Sequence, residues 1–103
     1  MRVPIWCAVA WPHRAPLRRA ARWDGVVPVG RLAPTDVAAM RAEIATHRTT
    51  AEAFDIVLPT AAASSRAVAD YEAAGATWWL VSLDARTGLD ELHAIVADGP
   101  PRP

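Results

Sequence analysis

The sequence lacks most of the features that would assign a chain of 103 residues to a specialised class. Its single cysteine, Cys7, cannot form an internal disulfide, so we expect a reduced thiol in the cytoplasm. The formal net charge is zero, which gives no indication of a nucleic acid partner. No apolar run approaches the roughly 18 residues of a membrane span, and the N-terminus has no long apolar targeting segment. These absences predict a soluble cytoplasmic protein with no nucleic acid or membrane partner.

The motifs of common catalytic and cofactor sites are also missing. There is no glycine-rich P-loop and no GxGxxG dinucleotide fingerprint. His47 and His93 have no cysteine or acidic partner at the spacing of metal ligands, so we predict no metal site. No order of serine or cysteine with histidine and aspartate indicates a nucleophilic centre. Asp24 and Asp55 border predicted strands, and we interpret them as turn or edge residues rather than an acid–base pair.

The sequence does contain a regular alternation of strands and helices. The strands are predicted over 3–10, 25–29, 54–59 and 77–83, and the helices over 16–23, 34–47, 66–74 and after Thr87, which we expect to cap the last one. Four βα units with right-handed crossovers predict a parallel α/β sheet in a single domain, 1–103, whose tail frays from about residue 98. Two arrangements fit this pattern. One is a flat sheet covered on both faces, and the other is four strands curved as half of a (β/α)8 barrel.

Apolar residues at helical spacing predict which helix faces are buried. These stripes are Leu17, Ala20 and Ala21 in the first helix, Val37, Met40 and Ile44 in the second, and Leu89, Leu92 and Val96 in the last. Adjacent Trp78 and Trp79 must point to opposite faces of their strand. We expect core packing for every tryptophan except Trp11.

Three segments carry a resemblance to a known family: RAPLRRAARWDGVVPV (14–29), AGATWWLVSL (74–83) and the terminal ADGPPRP (97–103). From Val3 onward the chain resembles the C-terminal half of the luciferase-like flavin-dependent oxidoreductases, the luciferase-like monooxygenases. The resemblance implies strands five to eight of a TIM barrel, with FMN or a deazaflavin coenzyme at its mouth and oxidoreductase chemistry supplied by that cofactor. Val9 and Ala10 stand where relatives have Gly and Arg, and His13 stands in place of an Asn.

Two loops at the carboxyl ends of predicted strands carry the candidate cofactor-binding residues. The first loop offers Trp11, His13 and Arg14, of which Arg14 would pair with a phosphate and His13 would donate a hydrogen bond or transfer a proton. The alternative is that these are solvated loop residues. The second loop offers small side chains at a helix N-terminus, where anions bind readily, and its alternative role is helix capping. Its residues are Thr60, Ser64 and Ser65.

A half barrel would expose two parallel edge strands and an apolar inner face, which favour association. We therefore expect a homo-oligomer, such as a homodimer that closes eight strands, or a complex with a separately made N-terminal half-barrel. A degenerate remnant that folds poorly is the third possibility. Two functional hypotheses follow: a flavin-dependent oxidoreductase fragment that is inactive until another half completes it, and a non-catalytic scaffold that self-associates.

Overall fold

The alternation of strands and helices is confirmed by a computed structural model, which describes residues 3–60, 65–81 and 88–99. The strands are β1 (Trp6–Ala10), β2 (Gly25–Val29), β3 (Asp55–Thr60) and β4 (Trp78–Val81). The helices are α1 (Arg14–Ala20), α2 (Pro34–His47), α3 (Ser65–Ala74) and α4 (Leu89–Asp98). The elements differ from prediction mainly at their ends: β1 begins three residues later than expected, and α1 begins two residues before Pro16.

The four strands form one parallel sheet in the order β1-β2-β3-β4, which is also their order along the chain. Right-handed crossovers between successive neighbouring strands place the connecting helices on the same face of a sheet. The core agrees with this rule, because side chains of α1, α2 and α3 pack into a single cluster on one face. In the described part of the chain, helices therefore pack on one face of the sheet, which does not favour a sheet covered on both faces. The opposite face, which we call the open face, is bounded by β1 and β4.

The core consists of aliphatic side chains from α1, α2 and the alternate strand residues that face them, with Tyr71 and Ala74 of α3 packed against it. Its buried members are Val9, Leu17, Ala20, Ala21, Val26, Val37, Met40, Ile44, Ile56 and Leu58. The predicted stripes of α1 and α2 are thus confirmed. Burying a large aliphatic side chain contributes about 1.5–3 kcal/mol, so α2, with its three buried residues, is a main source of stability.

The predicted buried stripe of α4 is wrong. Leu89 is 67% exposed and Val96 is 70% exposed, while Leu92 and Ile95 are only half-buried. The residue that caps this helix is Gly88 rather than Thr87, and Thr87 itself lies outside the described residues. Helical spacing shows only that apolar residues share a face. Whether another element covers that face depends on tertiary structure, and no further strand follows α4 among the described residues.

Hydrogen bonds and one glycine define the ends of the helices. The carboxylate of Asp36 accepts a hydrogen bond from the Ala33 backbone N–H at 2.9 Å, which satisfies the donor of the N-cap residue of α2. At the end of α3, Gly75 adopts a φ of 124°, a left-handed conformation that favours glycine. Arg48 follows α2 and donates to three backbone carbonyls, those of Ala21, Trp23 and Glu52, at 2.9–3.0 Å. This guanidinium therefore joins the end of α1 to the segment that enters β3.

Two tryptophans on the outer strands meet over the open face. Trp6 of β1 and Trp78 of β4 have ring centroids 5.4 Å apart, although two strands lie between them. Three strand spacings amount to about 14 Å, so each ring leans inward across its neighbouring strand. Gly25 makes this possible, because a Cβ there would lie 2.7 Å from the Trp6 ring. We call this pair the tryptophan bridge. Val57 lies on the same face next to Trp78, and its side chain is 0% exposed.

The prediction for the five tryptophans is correct in part. Trp78 and Trp79 face opposite sides as expected, and Trp79 packs against the helix-covered core. The assignment of Trp6 and Trp23 to the core is wrong, because both side chains are exposed, as is that of Trp78. Trp11, expected outside the core, is half-buried and packs against it. Hydrophobicity alone does not distinguish the two faces of a sheet when helices cover only one.

Candidate functional site

A cleft opens between the carboxyl-terminal halves of β2 and β3. These strands pair only at Gly25–Asp55 and Val26–Ile56, whereas β3 goes on to pair with β4 as far as Thr60. Each of the two strands contains a proline beyond the last pair, Pro28 and Pro59. Because proline has no backbone N–H, neither position can donate to a continued ladder. The ladder ends there, and a cavity of about 430 Å³, which we call the β2/β3 cleft, lies at this end of the two strands.

Aromatic side chains form one wall of the β2/β3 cleft. The rings of Tyr71 from α3 and Trp79 from β4 are 5.5 Å apart at their centroids and are inclined at 59°, a favourable tilted arrangement. The Tyr71 hydroxyl donates a short hydrogen bond to the Leu32 carbonyl, which holds the loop after β2 against α3. The Nε1–H of Trp79 is shielded from solvent and has no acceptor among the described residues.

The opposite wall is the loop Gly30–Leu32, which supplies the one charged side chain among the described lining residues. Arg31 is exposed and has no hydrogen-bond or ion-pair partner in the described part of the chain. Gly30 adopts a φ of 96°, and a Cβ added there would meet nothing within 4 Å. The loop therefore turns away from the sheet through a left-handed glycine and presents a cation at the rim of an aromatic and aliphatic cavity.

The first predicted loop lies at the same carboxyl edge of the sheet but does not line this cleft. His13 and Arg14 are exposed, and neither side chain has a polar partner among the described residues. Trp11 packs into the core, so it is withdrawn from the mouth of the sheet. α1 has only seven residues, and its N-cap residue, His13, makes no side-chain cap. The role of these residues in cofactor binding stays a prediction.

The second predicted loop falls largely outside what the structure describes. Thr60 is the last residue of β3 and Ser65 is the first residue of α3, but their side chains are not among the described groups. Ser64 lies outside the described residues. The role of this loop in binding an anion stays a prediction.

The two aspartates at the strand borders have structural roles, as the sequence indicated. The Asp24 carboxylate accepts a hydrogen bond from the Ile5 N–H at 2.7 Å, and its backbone N–H donates to the Ile5 carbonyl. Asp55 lies 3.0 Å from the hydroxyl of Thr77, which in turn accepts from the Ile56 N–H. These contacts join the start of β1 to that of β2, and the start of β3 to that of β4, at the amino edge of the sheet. In parallel α/β barrels, residues at this edge contribute to stability, whereas catalytic residues lie at the opposite edge.

Two other kinds of site receive no support from the described residues. Nowhere in ranges 3–60, 65–81 and 88–99 do three or more histidine, cysteine or acidic side chains come together to hold a metal ion. Within the same ranges, each helix is too short or too polar to cross a membrane.

Sequence reasoning missed the residues that form the β2/β3 cleft. Arg31, Tyr71 and Trp79 lie far apart in the chain and belong to no motif. A signal was nevertheless present, because Pro28 and Pro59 occur inside predicted strands at places where a ladder needs donors. Such a pair of prolines predicts, from the sequence alone, that the hydrogen-bonded ladder between two neighbouring strands is interrupted.

Comparison with known proteins does not extend this description: no protein-family model, curated protein or solved structure matches the chain.

Proposed function

We propose that the chain is a half-barrel module that works by associating through its open face and its two free strand edges. The observation that carries this proposal is the one-sided covering of the sheet. Three helices pack on one face, while the other exposes large apolar side chains of β1, β2 and β4, with Val29 62% exposed and Trp78 49% exposed. Exposed apolar surface of this extent is typical of an association site.

The surface area supports the same proposal. The chain exposes 7283 Å², whereas a compact monomer of 11.1 kDa exposes about 5700 Å². The radius of gyration is 14.8 Å, against about 12.8 Å for a compact chain of this length. The excess of about 1600 Å² is roughly twice what one partner buries in an interface of standard size. The open face and the exposed side of α4 both contribute to it.

A second copy of the chain is the occupant that best fits this geometry. β1 and β4 are the outer strands and run parallel, so β4 of one copy can lie beside β1 of another. Two such contacts related by a two-fold axis would close eight parallel strands and leave no free edge. A complementing N-terminal half-barrel would meet the same edges, and it is the alternative partner.

A single substitution on the open face tests the association. In Val29→Arg the new charge lies on a largely exposed site of the separate chain but would enter the interior of a closed assembly. The matched control is Ala38→Arg, on the exposed side of α2. By sedimentation equilibrium we expect wild type and the control to be dimeric and Val29→Arg to be monomeric with unchanged circular dichroism. A monomeric wild type, or equal behaviour of the two variants, would contradict the proposal.

The flavin- or deazaflavin-dependent oxidoreductase activity implied by the family resemblance is proposed only for the completed assembly. What supports it is the place of His13 and Arg14, exposed at the carboxyl edge where barrel sites are built. The test is to sediment the protein with FMN while following flavin absorbance. We expect flavin to sediment with the assembled wild type and to be lost in Arg14→Gln, with the assembly intact. If an assembled protein carries no flavin, the chain is a scaffold alone.

A further inference from the structure

We propose that the β2/β3 cleft binds a small planar organic anion, with its ring against Tyr71 and Trp79 and its charged group at Arg31. The inference does not depend on barrel closure, because the cleft lies between the sheet, the loop Gly30–Leu32 and helix α3 within one chain. It is also separate from the predicted flavin loops, since Trp11, His13 and Arg14 do not line it.

The size and the walls of the cleft determine what kind of molecule fits. A volume of about 430 Å³ lies within the range of small-molecule pockets, which are mostly apolar with a few placed polar groups. Tyr71 and Trp79 offer ring surfaces inclined to one another, and the exposed Pro59 adds aliphatic surface. A flat conjugated ring makes more contact with such walls than a polar or branched molecule does.

The charge at the rim of the cleft determines which charged group a bound ring should carry. Arg31 is the sole charged side chain among the described lining residues, and no described carboxylate neutralises it. A guanidinium offers a planar pair of donors that matches a carboxylate or a phosphate. Because Arg31 is exposed, solvent weakens the pairing, and we expect it to change affinity by a factor of about three to ten rather than by orders of magnitude.

The walls are held in place without a ligand. The Tyr71 hydroxyl binds the Leu32 carbonyl, so the loop that carries Arg31 is tied to the helix that carries the aromatic wall. Pro28 and Leu58 are buried in the core on either side of the strand break. A cleft that exists before binding loses less entropy when it takes up a ligand.

The test uses two probes of nearly equal shape, naphthalene-1-carboxylate and its uncharged amide, titrated into the full chain. Binding is followed by the indole N–H resonances in ¹H–¹⁵N spectra, with that of Trp79 assigned from Trp79→Phe. We expect the carboxylate to shift the Trp79 signal saturably and to bind at least about threefold more tightly than the amide. In Arg31→Gln this preference should vanish, while amide affinity stays the same. Arg22→Gln, at an exposed arginine outside the cleft, is the control and should keep the preference.

Three results would overturn the proposal: no saturable shift of the Trp79 signal, equal affinity for both probes in wild type, or the same loss in both arginine variants. Shifts confined to Trp6 and Trp78 would instead place the probe on the open face. That result would refute the cleft as a binding site while leaving the proposed association untouched. Conversely, a monomeric protein that binds the carboxylate through Arg31 would uphold the cleft and refute the half-barrel assembly.

Discussion

Adjacent residues of β4, Trp78 and Trp79, allow the two faces of the sheet to be compared in one experiment. Trp79 lies on the covered face and packs against the core and Tyr71. Truncating a buried tryptophan to alanine costs about 3–5 kcal/mol. Trp79 is only partly buried, and truncation also removes an unsatisfied N–H that costs about 1–3 kcal/mol. We therefore expect Trp79→Ala to lower the free energy of unfolding by about 2–4 kcal/mol.

Trp78 lies on the open face, where its main aromatic partner is Trp6. In a single chain its removal should cost about 1 kcal/mol, the scale of an aromatic pair. In an assembly that buries the open face, the loss should be larger and should grow with protein concentration, since association stabilises the folded state. The cost of Trp79→Ala, by contrast, should remain similar at all concentrations.

The assay is urea unfolding followed by circular dichroism at two protein concentrations about 100-fold apart. The slope of the free energy against urea must be the same in wild type and both variants for the midpoints to be compared. A loss below about 1 kcal/mol for Trp79→Ala would refute its place in the core. A cost of Trp78→Ala that does not change with concentration would refute burial of the open face by association.

Three further substitutions test single contacts of the fold. Gly25→Ala should destabilise by about 1–3 kcal/mol, because its Cβ would lie 2.7 Å from the Trp6 ring and 2.8 Å from the Asp55 carbonyl oxygen. Gly88→Ala, with open space around it, should cost less, and equal costs would contradict the close approach. Arg48→Lys should cost about 1–2 kcal/mol in thermal unfolding, because an ammonium cannot keep all three carbonyl contacts of the guanidinium; an unchanged midpoint would show that they contribute nothing. Tyr71→Phe should cost about 1 kcal/mol by losing its hydrogen bond to the loop after β2, and a neutral result would mean that water replaces it.

Local patterns predicted those parts of the fold that depend on neighbours in the chain. The spacing of Val37, Met40 and Ile44 identified the buried side of α2, and Gly75 marked the end of α3. The end of α3 is decided within one turn of helix, and the apolar face of α2 is buried because residues of α1 and the strands cover it. The same reasoning failed for Leu89 and Val96 in α4, because their burial depends on an element from elsewhere in the structure.

The candidate site was harder to predict, since its residues come together only through the topology. His13 and Arg14 were found because a loop after a first strand is a general position for function. The β2/β3 cleft requires knowledge that β2 and β3 are neighbours and that their ladder ends at Val26–Ile56. Arg31 stands in an ordinary loop, and only the packing of Tyr71 and Trp79 opposite that loop gives it a cavity to face.

Chemical cross-linking of the two free edges of the sheet tests the central claim most directly. Cys7, the only cysteine, lies on β1, and Val81→Cys adds a second thiol on β4, facing the same side of the sheet. Within one chain these positions are three strand spacings apart, roughly 14 Å along the sheet. A bismaleimide linker of about 8 Å should therefore join them only between copies, where β4 lies beside the partner's β1.

We predict a covalent dimer, closed by two links, as the main product of Val81→Cys. Ala38→Cys, on the outer side of α2, should give little dimer under the same conditions. Unlinked monomer, or a yield of dimer no greater than that of Ala38→Cys, would contradict the half-barrel account. A ladder of trimers and longer chains would show that the edges pair without closing, and the eight-stranded ring would then be wrong.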